Sequence, residues 1–238
     1  LAACRELGIH VANVSDYAAV TVPEHTFALI LALARSLPAY MRDVEAGRWQ
    51  ESGQFCFHTH HIGELRGRRL AIVGGGAIGQ SVAAIGRGFG MEVAFAGRKG
   101  AAEPAEGRMA FDEILGWCDV ITLHCPLTEG TEGLLGRDEF ARMTRRPLVI
   151  NTARGGLIVD EALAAALREG LIGGAGIDAT VPEPPPADHP FMALVGRPDF
   201  ILTPHVAWAG RDAMAALAEQ VIANIEDFVG GRAAPVEA

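Results

Sequence analysis

The sequence has no long apolar run, and this absence argues against a membrane-spanning helix. Its longest apolar stretch extends only from Phe27 to Ala34, whereas a bilayer-spanning helix needs about 20 such residues. Half of the 238 residues are nevertheless hydrophobic and 21% are charged. This balance is typical of a folded globular chain, so we expect a globular protein with no membrane association.

Basic residues are also scarce. The 20 Lys and Arg residues are outnumbered by 29 Asp and Glu residues, and the net charge is −9. A nucleic-acid-binding domain needs a basic surface, but the sequence has no run of Lys and Arg and only two tyrosines. We therefore expect no nucleic-acid partner.

The four cysteines are scattered without any C-x-x-C spacing, so neither a disulfide framework nor a zinc site is indicated. Such reduced thiols are typical of the cytoplasm, where we expect the protein. The histidines of "FHTHH" are not four residues apart and have no acidic residue beside them in the sequence. We interpret them as part of a solvated loop and predict no metal site.

From Arg69 onwards, short apolar segments alternate with helical patterns. The apolar segments are continuous and do not alternate with polar residues, which is typical of parallel strands buried on both faces. The sequence therefore predicts a doubly wound α/β (Rossmann) domain. Its expected strands lie at 69–73, 91–96, 120–124, 147–151, 173–178 and 200–203.

Helix-end signals accompany these strands. The segment "TVPEHTFALILALARSL" predicts a helix that starts with a capping box of Thr21 and Glu24 and ends at Pro38. A later helix has Asp160 as its expected N-cap and Gly170 as its stop. The other expected elements are a short strand at 8–14 and a final helix that ends at paired glycines and has an apolar face of Met214, Leu217, Val221, Ile225 and Phe228.

A glycine-rich segment directly follows the strand predicted at 69–73. Gly74, Gly76 and Gly79 have the G-x-G-x-x-G spacing, and a predicted helix begins beside them. In dinucleotide-binding folds these glycines allow a tight turn, a close approach to the pyrophosphate and close packing of helix on strand. An ordinary glycine-rich turn is the alternative. Strand, spacing and helix together favour a dinucleotide site that also includes Ala77 and Ile78.

The next predicted strand is followed by Gly97, at a position where NAD-binding proteins usually carry an acidic residue for the ribose hydroxyls. A carboxylate there would repel a 2′-phosphate, whereas Gly97 leaves space. Arg98 and Lys99 add positive charge that a phosphate could use. A solvated basic turn is the alternative. We expect NADP(H) to be favoured, with NAD(H) as the other candidate cofactor.

Isolated polar residues follow three later strands, in "NTARGG", "TVPEPPP" and "TPHVAW". Ligands bind at this edge of an open α/β sheet. Reduction of a carbonyl on an acidic substrate needs a cation, for which Arg154 is the candidate, and a proton donor, for which His205 is the candidate. Glu183 is the candidate carboxylate that orients and charges His205. Considered alone, each has an ordinary alternative: a surface ion pair, a structural histidine or a solvated glutamate.

Together these segments resemble the D-isomer-specific 2-hydroxyacid dehydrogenase family. The likeness covers nearly the whole chain from Gly8 onwards and is closest to the bacterial glycerate dehydrogenase, or hydroxypyruvate reductase, branch. The segments that carry it are "VGGGAIGQSVAAIGRGFGMEV", "LHCPLTEGTEGLL", "INTARGGLIVDEALAAAL", "GAGIDATVPEPPP" and "LTPHVAWAG".

The resemblance implies roles for individual residues. Arg154 would hold the substrate carboxylate, His205 would protonate the carbonyl oxygen, and Glu183 would orient His205. Asp178 would hold the nicotinamide amide. The cofactor cleft would be lined by Cys125, Pro126, Thr128, Thr131, Thr152 and Ala153.

The activity that the resemblance implies is hydride transfer between NAD(P)H and a short 2-oxo acid. Hydroxypyruvate and glyoxylate are the expected substrates, and a D-2-hydroxy acid is the expected product. A homodimer is also expected, with Trp49 as a candidate anchor residue. The alternatives are a dinucleotide-sensing corepressor and a phosphoglycerate dehydrogenase. A formate-type dehydrogenase would carry glutamine in place of Glu183.

The resemblance also predicts the domain organisation. Residues 1–20 would end a flavodoxin-like substrate domain, residues 21–207 would form the dinucleotide-binding domain, and residues 208–238 would return to the substrate domain. In the family, half of the substrate domain precedes the position of Leu1 and carries backbone donors for the substrate carboxylate. We therefore expect the 238-residue chain to bind cofactor but to reduce hydroxypyruvate poorly.

Overall fold

The computed structural model describes residues 1–232, which form a seven-stranded sheet with every neighbouring pair of strands parallel. The strands are β1 (Arg69–Val73), β2 (Glu92–Ala96), β3 (Arg108–Met109), β4 (Val120–Leu123), β5 (Leu148–Asn151), β6 (Gly174–Ile177) and β7 (Phe200–Leu202). Their order is β3-β2-β1-β4-β5-β6-β7. Because the order reverses between β1 and β4, this is the doubly wound α/β architecture that the sequence predicts.

The helices are α1 (Ala2–Glu6), α2 (Thr21–Ala34), α3 (Leu37–Glu45), α4 (Arg48–Ser52), α5 (Ala77–Gly88), α6 (Phe111–Trp117), α7 (Arg137–Arg142), α8 (Asp160–Glu169) and α9 (Arg211–Val229). Within residues 1–232, none of them is long and apolar enough to cross a membrane.

Burial on both faces explains why the strands are continuously apolar. In β1, Leu70 and Ile72 belong to a core that also contains side chains of α2 and α5. Ala71 belongs to a second core, shared with α6, α7 and α8. All three side chains have no exposed surface. Burying a Leu or Ile side chain contributes on the order of 1.5–3 kcal/mol, so the two cores hold the helices against the sheet.

The strand predicted at 8–14 is wrong. This segment is irregular in the structure, and side chains of α9 bond the backbone at its C-terminal end. The side-chain amide of Asn224 donates to the Asn13 carbonyl at 2.9 Å. Gln220 donates to the Ser15 carbonyl at 3.1 Å and accepts its N–H at 3.0 Å. These contacts satisfy backbone groups of Asn13 and Ser15 without a strand partner.

The predicted capping box at the start of α2 is also wrong. The residue before the helix is Val20, and no side chain caps this end. The hydroxyl of Thr21 instead donates to the carbonyl oxygen of Ala207 at 3.0 Å. A contact between residues so far apart in the chain cannot be read from local spacing.

Two other helix ends differ from the sequence-based expectation, and one agrees with it. Helix α2 already ends at Ala34, and Pro38 lies in the first turn of α3, where proline is well tolerated. Asp160 is the first residue of α8, not its N-cap; its carboxylate lies 3.1 Å from His189. Gly170 ends α8 with φ +71°, as predicted.

Helix α9 has the predicted position and ends before Gly230 and Gly231, as expected. Most of its predicted apolar face is exposed in residues 1–232, namely Met214, Val221, Ile225 and Phe228. Strand β3 was not predicted, because two residues are too few to produce an apolar pattern.

Candidate active site

The loop between β1 and α5 needs glycine at two positions for steric reasons. Gly74 has φ +111°, and a Cβ there would lie 2.3 Å from the carbonyl oxygen of His124. A Cβ at Gly79 would lie 2.1 Å from the carbonyl oxygen of Gly74. Nothing lies within 4 Å of a Cβ position at Gly76, which leaves an open cradle before the first turn of α5. A pyrophosphate fits this cradle because the first amides of a helix are free donors.

A cleft of about 890 Å³ opens beside this loop, at the point between β1 and β4 where the strand order reverses. Doubly wound sheets bind ligands at this point, and the volume is typical of ligand sites. The sequence-predicted residues that line the cleft are Gly76, Ala77, Ile78, Cys125, Pro126, Thr152, Ala153, Arg154 and His205.

Thr128 and Thr131 shape one wall of the cleft through a tight turn. The hydroxyl of Thr131 donates to the Pro126 carbonyl at 2.7 Å and accepts the N–H of Thr128 at 2.8 Å. These bonds fix the position of Pro126, so Thr131 acts on the cleft through its neighbour.

At the end of β2, the structure separates the two predicted cations. Arg98 is exposed. The ammonium group of Lys99 lies 2.8 Å from a carboxylate oxygen of Glu139 and donates to the Leu134 carbonyl at 3.1 Å. Lys99 is thus already paired with a carboxylate, and its expected contribution to binding a phosphate stays a prediction.

His205 and Glu183 form a hydrogen-bonded pair beside the cleft. Nδ1 of His205 lies 2.8 Å from Oε2 of Glu183, and the N–H of Thr180 donates to the other carboxylate oxygen at 3.0 Å. Partial burial acts to raise the pKa of Glu183. The hydrogen bonds from His205 and Thr180, with the positive charge of Arg154, outweigh this effect and lower the pKa. The carboxylate is therefore ionised at neutral pH.

Asp178 holds the turn that carries His205. One of its carboxylate oxygens accepts the hydroxyl of Thr203 and, at 3.0 Å, the N–H of Val206; the other accepts the N–H of Ala207 at 2.8 Å. The side chain of Asp178 has no exposed surface. In this structure Asp178 thus holds the backbone that follows His205 and the side chain of Thr203 that precedes it. Its implied contact with a nicotinamide amide stays a prediction.

Arg154 follows β5 in a turn that is fixed by Asn151, a residue that the sequence analysis missed. The side-chain amide of Asn151 donates to the Arg154 carbonyl at 2.7 Å, and its oxygen accepts the N–H of Ala153 at 3.0 Å. The guanidinium of Arg154 donates to the Ala153 carbonyl at 2.7 Å. Arg154 and His205 line the same cleft.

Helix α2 supports the site from behind. The hydroxyls of Thr26 and Thr152 lie 3.0 Å apart, and Nε2 of His25 lies 3.1 Å from the hydroxyl of Thr203. The sequence analysis missed both contacts. The available signal was that the polar residues His25 and Thr26 directly precede the apolar run from Phe27 to Ala34 in the same helix.

Two further side chains of the cleft follow β4. Burial lowers the pKa of His124 from 6.5 to about 4, so its imidazole is neutral at physiological pH. A ring nitrogen of His124 lies 2.9 Å from the Thr122 hydroxyl. Burial raises the pKa of the Cys125 thiol, which makes this thiol a poor nucleophile.

The histidine-rich segment has an acidic partner that its sequence neighbourhood did not show. Nε2 of His60 lies 2.8 Å from a carboxylate oxygen of Asp43, a residue of α3. His58 and His61 do not join this pair in a ligand set: no group of three His, Cys, Asp or Glu side chains in residues 1–232 could hold a metal ion.

Comparisons with known proteins agree with this geometry. The family model for the NAD-binding domain of D-isomer specific 2-hydroxyacid dehydrogenases matches residues 27–207. The chain is 43% identical to a glycerate dehydrogenase of Methylorubrum extorquens over 97% of its own length and 72% of that protein. It is 34% identical to a hydroxypyruvate reductase of Blautia hydrogenotrophica over 95% of its length and 70% of that protein.

A solved structure is also similar. The crystal structure of the D-lactate dehydrogenase of Aquifex aeolicus, in complex with NAD and lactic acid, superposes with a TM-score of 0.84 at 28% identity, covering 97% of this chain and 72% of that one. The glycine cradle, the cleft and these relatives support a nicotinamide dinucleotide as cofactor. The protein is an oxidoreductase with a Rossmann sheet, and the chain belongs to the D-isomer-specific 2-hydroxyacid dehydrogenase family.

Proposed function

We propose that this protein reduces a short 2-oxo acid to the D-2-hydroxy acid, with hydroxypyruvate or glyoxylate as substrate and NADPH preferred to NADH. The observation that carries the proposal is the 2.8 Å pair of His205 and Glu183 beside a cleft that also presents Arg154. Reduction of a 2-oxo acid needs such a proton donor and such an anchoring cation. The names of the two relatives support the choice of substrate.

The residues of the cleft bind the substrate and transfer the proton. The nicotinamide, when bound, supplies or accepts the hydride. Arg154 binds the substrate carboxylate through its planar fork of donors. In the reducing direction His205 acts as the imidazolium: Nδ1–H donates to Glu183, and Nε2–H delivers the proton that neutralises the carbonyl oxygen. The ionised Glu183 stabilises the imidazolium. In the opposite direction, Nε2 accepts the hydroxyl proton.

The end of β2 supports the preference for NADPH. Gly97 carries no carboxylate that would repel a 2′-phosphate. A Cβ at Gly97 would lie 3.1 Å from Cβ of Pro104 and 3.2 Å from the Met109 carbonyl oxygen, so an acidic side chain there would require its neighbours to move. Arg98 is exposed beside it and adds positive charge.

We assign residues 21–207 to the dinucleotide-binding domain and residues 1–20 and 208–238 to the substrate domain. Two hydrogen bonds between Ser15 and Gln220 support the pairing of the two terminal segments. The final residues, 233–238, lie outside the described part of the chain.

We also propose a homodimer in the cytoplasm. The segment that contains α3 and α4 exposes large apolar side chains, among them Met41, Trp49 and Phe55, and a subunit interface would bury them. All four cysteines are free, which suits a reducing compartment.

Steady-state kinetics test the enzymatic proposal. We expect kcat/KM with NADPH to be higher for hydroxypyruvate or glyoxylate than for pyruvate, and the product to be the D-isomer. Higher kcat/KM with pyruvate would contradict the choice of substrate, and higher kcat/KM with NADH would contradict the choice of cofactor. Cofactor binding with no His205-dependent turnover would favour the dinucleotide sensor.

A further inference from the structure

Arg108, which belongs to none of the predicted sites, lies beside the glycine-rich loop between β1 and α5. Arg108 is the first residue of β3, the edge strand, and pairs in register with Phe95 of β2. Because β3 and β2 are parallel, the side chain of Arg108 lies close to the carboxyl end of β2. Gly97, where the usual ribose-binding acid is absent, follows that end directly.

The guanidinium of Arg108 bridges β2 and the glycine loop. Its Nη1 donates to the Ala96 carbonyl at 3.0 Å. Its Nη2 lies 2.5 Å from the position that a Cβ would occupy at Gly75. The absence of a side chain at Gly75 therefore lets the guanidinium lie against the loop. Its carbon also lies 5.9 Å from the ring centroid of Phe95, which restricts the orientation of the group.

The charge of Arg108 is not neutralised. Within residues 1–232, no carboxylate lies within 4 Å of its guanidinium, whereas other cations such as Lys99 and Arg142 have carboxylate partners. Arginine has five N–H donors, and Arg108 uses one of them on Ala96. The remaining donors and the positive charge are available to an anion at the end of β2.

We propose that Arg108 binds the 2′-phosphate of NADP(H), together with Arg98, and thereby sets the preference for NADPH. This inference rests on the cofactor preference proposed above and assigns it to a residue. A guanidinium binds phosphate through parallel charge-assisted hydrogen bonds. NADH carries a neutral hydroxyl at the same position, so Arg108 should contribute much less to its binding. Lys99 takes no part, because Glu139 neutralises it.

The test measures binding, so that it does not depend on turnover. Dissociation constants are measured by calorimetry for NADPH and NADH, and for 2′,5′-ADP and 5′-AMP, which differ only in the 2′-phosphate. We expect Arg108→Gln to weaken NADPH and 2′,5′-ADP at least about tenfold, the effect of one lost charge-assisted hydrogen bond. The affinities for NADH and 5′-AMP should change less than about threefold.

Two variants serve as comparisons. Arg87→Ala removes an exposed arginine from the last turn of α5, at the far end of that helix from the cofactor loop, and should leave all four affinities unchanged. Gly75→Ala keeps the charge of Arg108 but places a methyl group 2.5 Å from the present position of Nη2, which must therefore move. Because the displaced atom ends a flexible side chain, the variant should fold, and it should weaken 2′,5′-ADP more than 5′-AMP.

The outcomes separate this inference from the proposed function. Equal losses for NADPH and NADH in Arg108→Gln would mean that Arg108 only stiffens the loop and would overturn the inference. Unchanged affinities would overturn it as well. Either of these two results would still be compatible with tighter binding of NADPH than of NADH by the wild-type protein, so the proposed cofactor preference would stand. Tighter binding of NADH by the wild-type protein would refute the cofactor preference itself, and the role of Arg108 with it.

Discussion

His205 occupies a backbone conformation that few residues other than glycine adopt. Its φ is +53°, which costs on the order of 1–3 kcal/mol unless the surroundings enforce it. Asp178 enforces it by accepting the N–H groups of Val206 and Ala207. The imidazole is thereby presented to Glu183 on one side and to the cleft on the other. Strain at this residue is thus balanced by buried hydrogen bonds, as is common at catalytic positions.

Replacing His205 should separate chemistry from cofactor binding. We expect His205→Gln to lower kcat at least about 10²-fold, because glutamine cannot supply the proton to the carbonyl oxygen. The dissociation constant of NADPH, measured by fluorescence titration, should change little. Activity within a few-fold of the wild-type value would show that another group donates the proton.

His124 should make stability depend on pH. Burial lowers its pKa from 6.5 to about 4. Between these values the unfolded state binds a proton that the folded state does not, so stability falls as the pH falls from 6.5 to 4. At 1.36 kcal/mol per unit of pKa the loss is at most about 3.4 kcal/mol, and it is smaller because residue His124 is only half-buried.

Urea unfolding between pH 4 and 7 measures this effect. The free energy of unfolding of His124→Gln should vary less with pH than that of the wild-type protein. His58→Gln, which changes an exposed histidine, serves as the control and should follow the wild-type curve. If the His124→Gln curve runs parallel to the wild-type curve, His124 is not the group that titrates.

At the scale of elements, the turn between β1 and α5 contains one glycine that folding requires and another that we expect only cofactor binding to require. Gly74→Ala would place a Cβ 2.3 Å from a backbone oxygen at φ +111°, so we expect the free energy of unfolding to fall by more than about 2 kcal/mol.

A Cβ at Gly76 meets nothing within 4 Å. Gly76→Ala should therefore unfold at nearly the wild-type urea concentration but bind NADPH at least tenfold more weakly. Equal NADPH affinity in Gly76→Ala and the wild-type protein would place the pyrophosphate elsewhere.

The strands and helix ends that could be predicted from the sequence are those that depend on the residues of the element itself. The expected strands were found because burial on both faces requires continuous apolar residues, as in β1 and β4. The end of α8 at Gly170 was found because its positive φ favours glycine. The strand expected at 8–14 does not form; the segment is irregular, and its Asn13 carbonyl accepts a hydrogen bond from Asn224 of α9. Strand β3 was too short to leave a pattern.

At the scale of the whole molecule, the candidate site was predictable only in part. That Arg154, Glu183 and His205 lie near one another was predictable because each follows a strand of one parallel sheet, and such ends meet at one edge. Their catalytic roles stay predictions.

Arg108 was missed because its contact with the Ala96 carbonyl depends on the register of β3 against β2, which no local spacing in the sequence encodes. Asn151 was missed although its contacts are local: it bonds the backbone of Ala153 and Arg154 in a side-chain turn of a kind that asparagine commonly forms.

The proposed dimer is a property of the whole molecule, and its test is the association state. Phe55 is 95% exposed and Trp49 is 46% exposed, so a subunit interface over α3 and α4 would bury a large apolar area. In sedimentation equilibrium, we expect the wild-type protein to be a dimer at micromolar concentration and Trp49→Asp to shift it towards monomer, because a buried unpaired carboxylate opposes association. Val195→Asp changes a side chain that is 57% exposed elsewhere and should remain dimeric. A Trp49→Asp protein as dimeric as Val195→Asp would place the interface away from this segment.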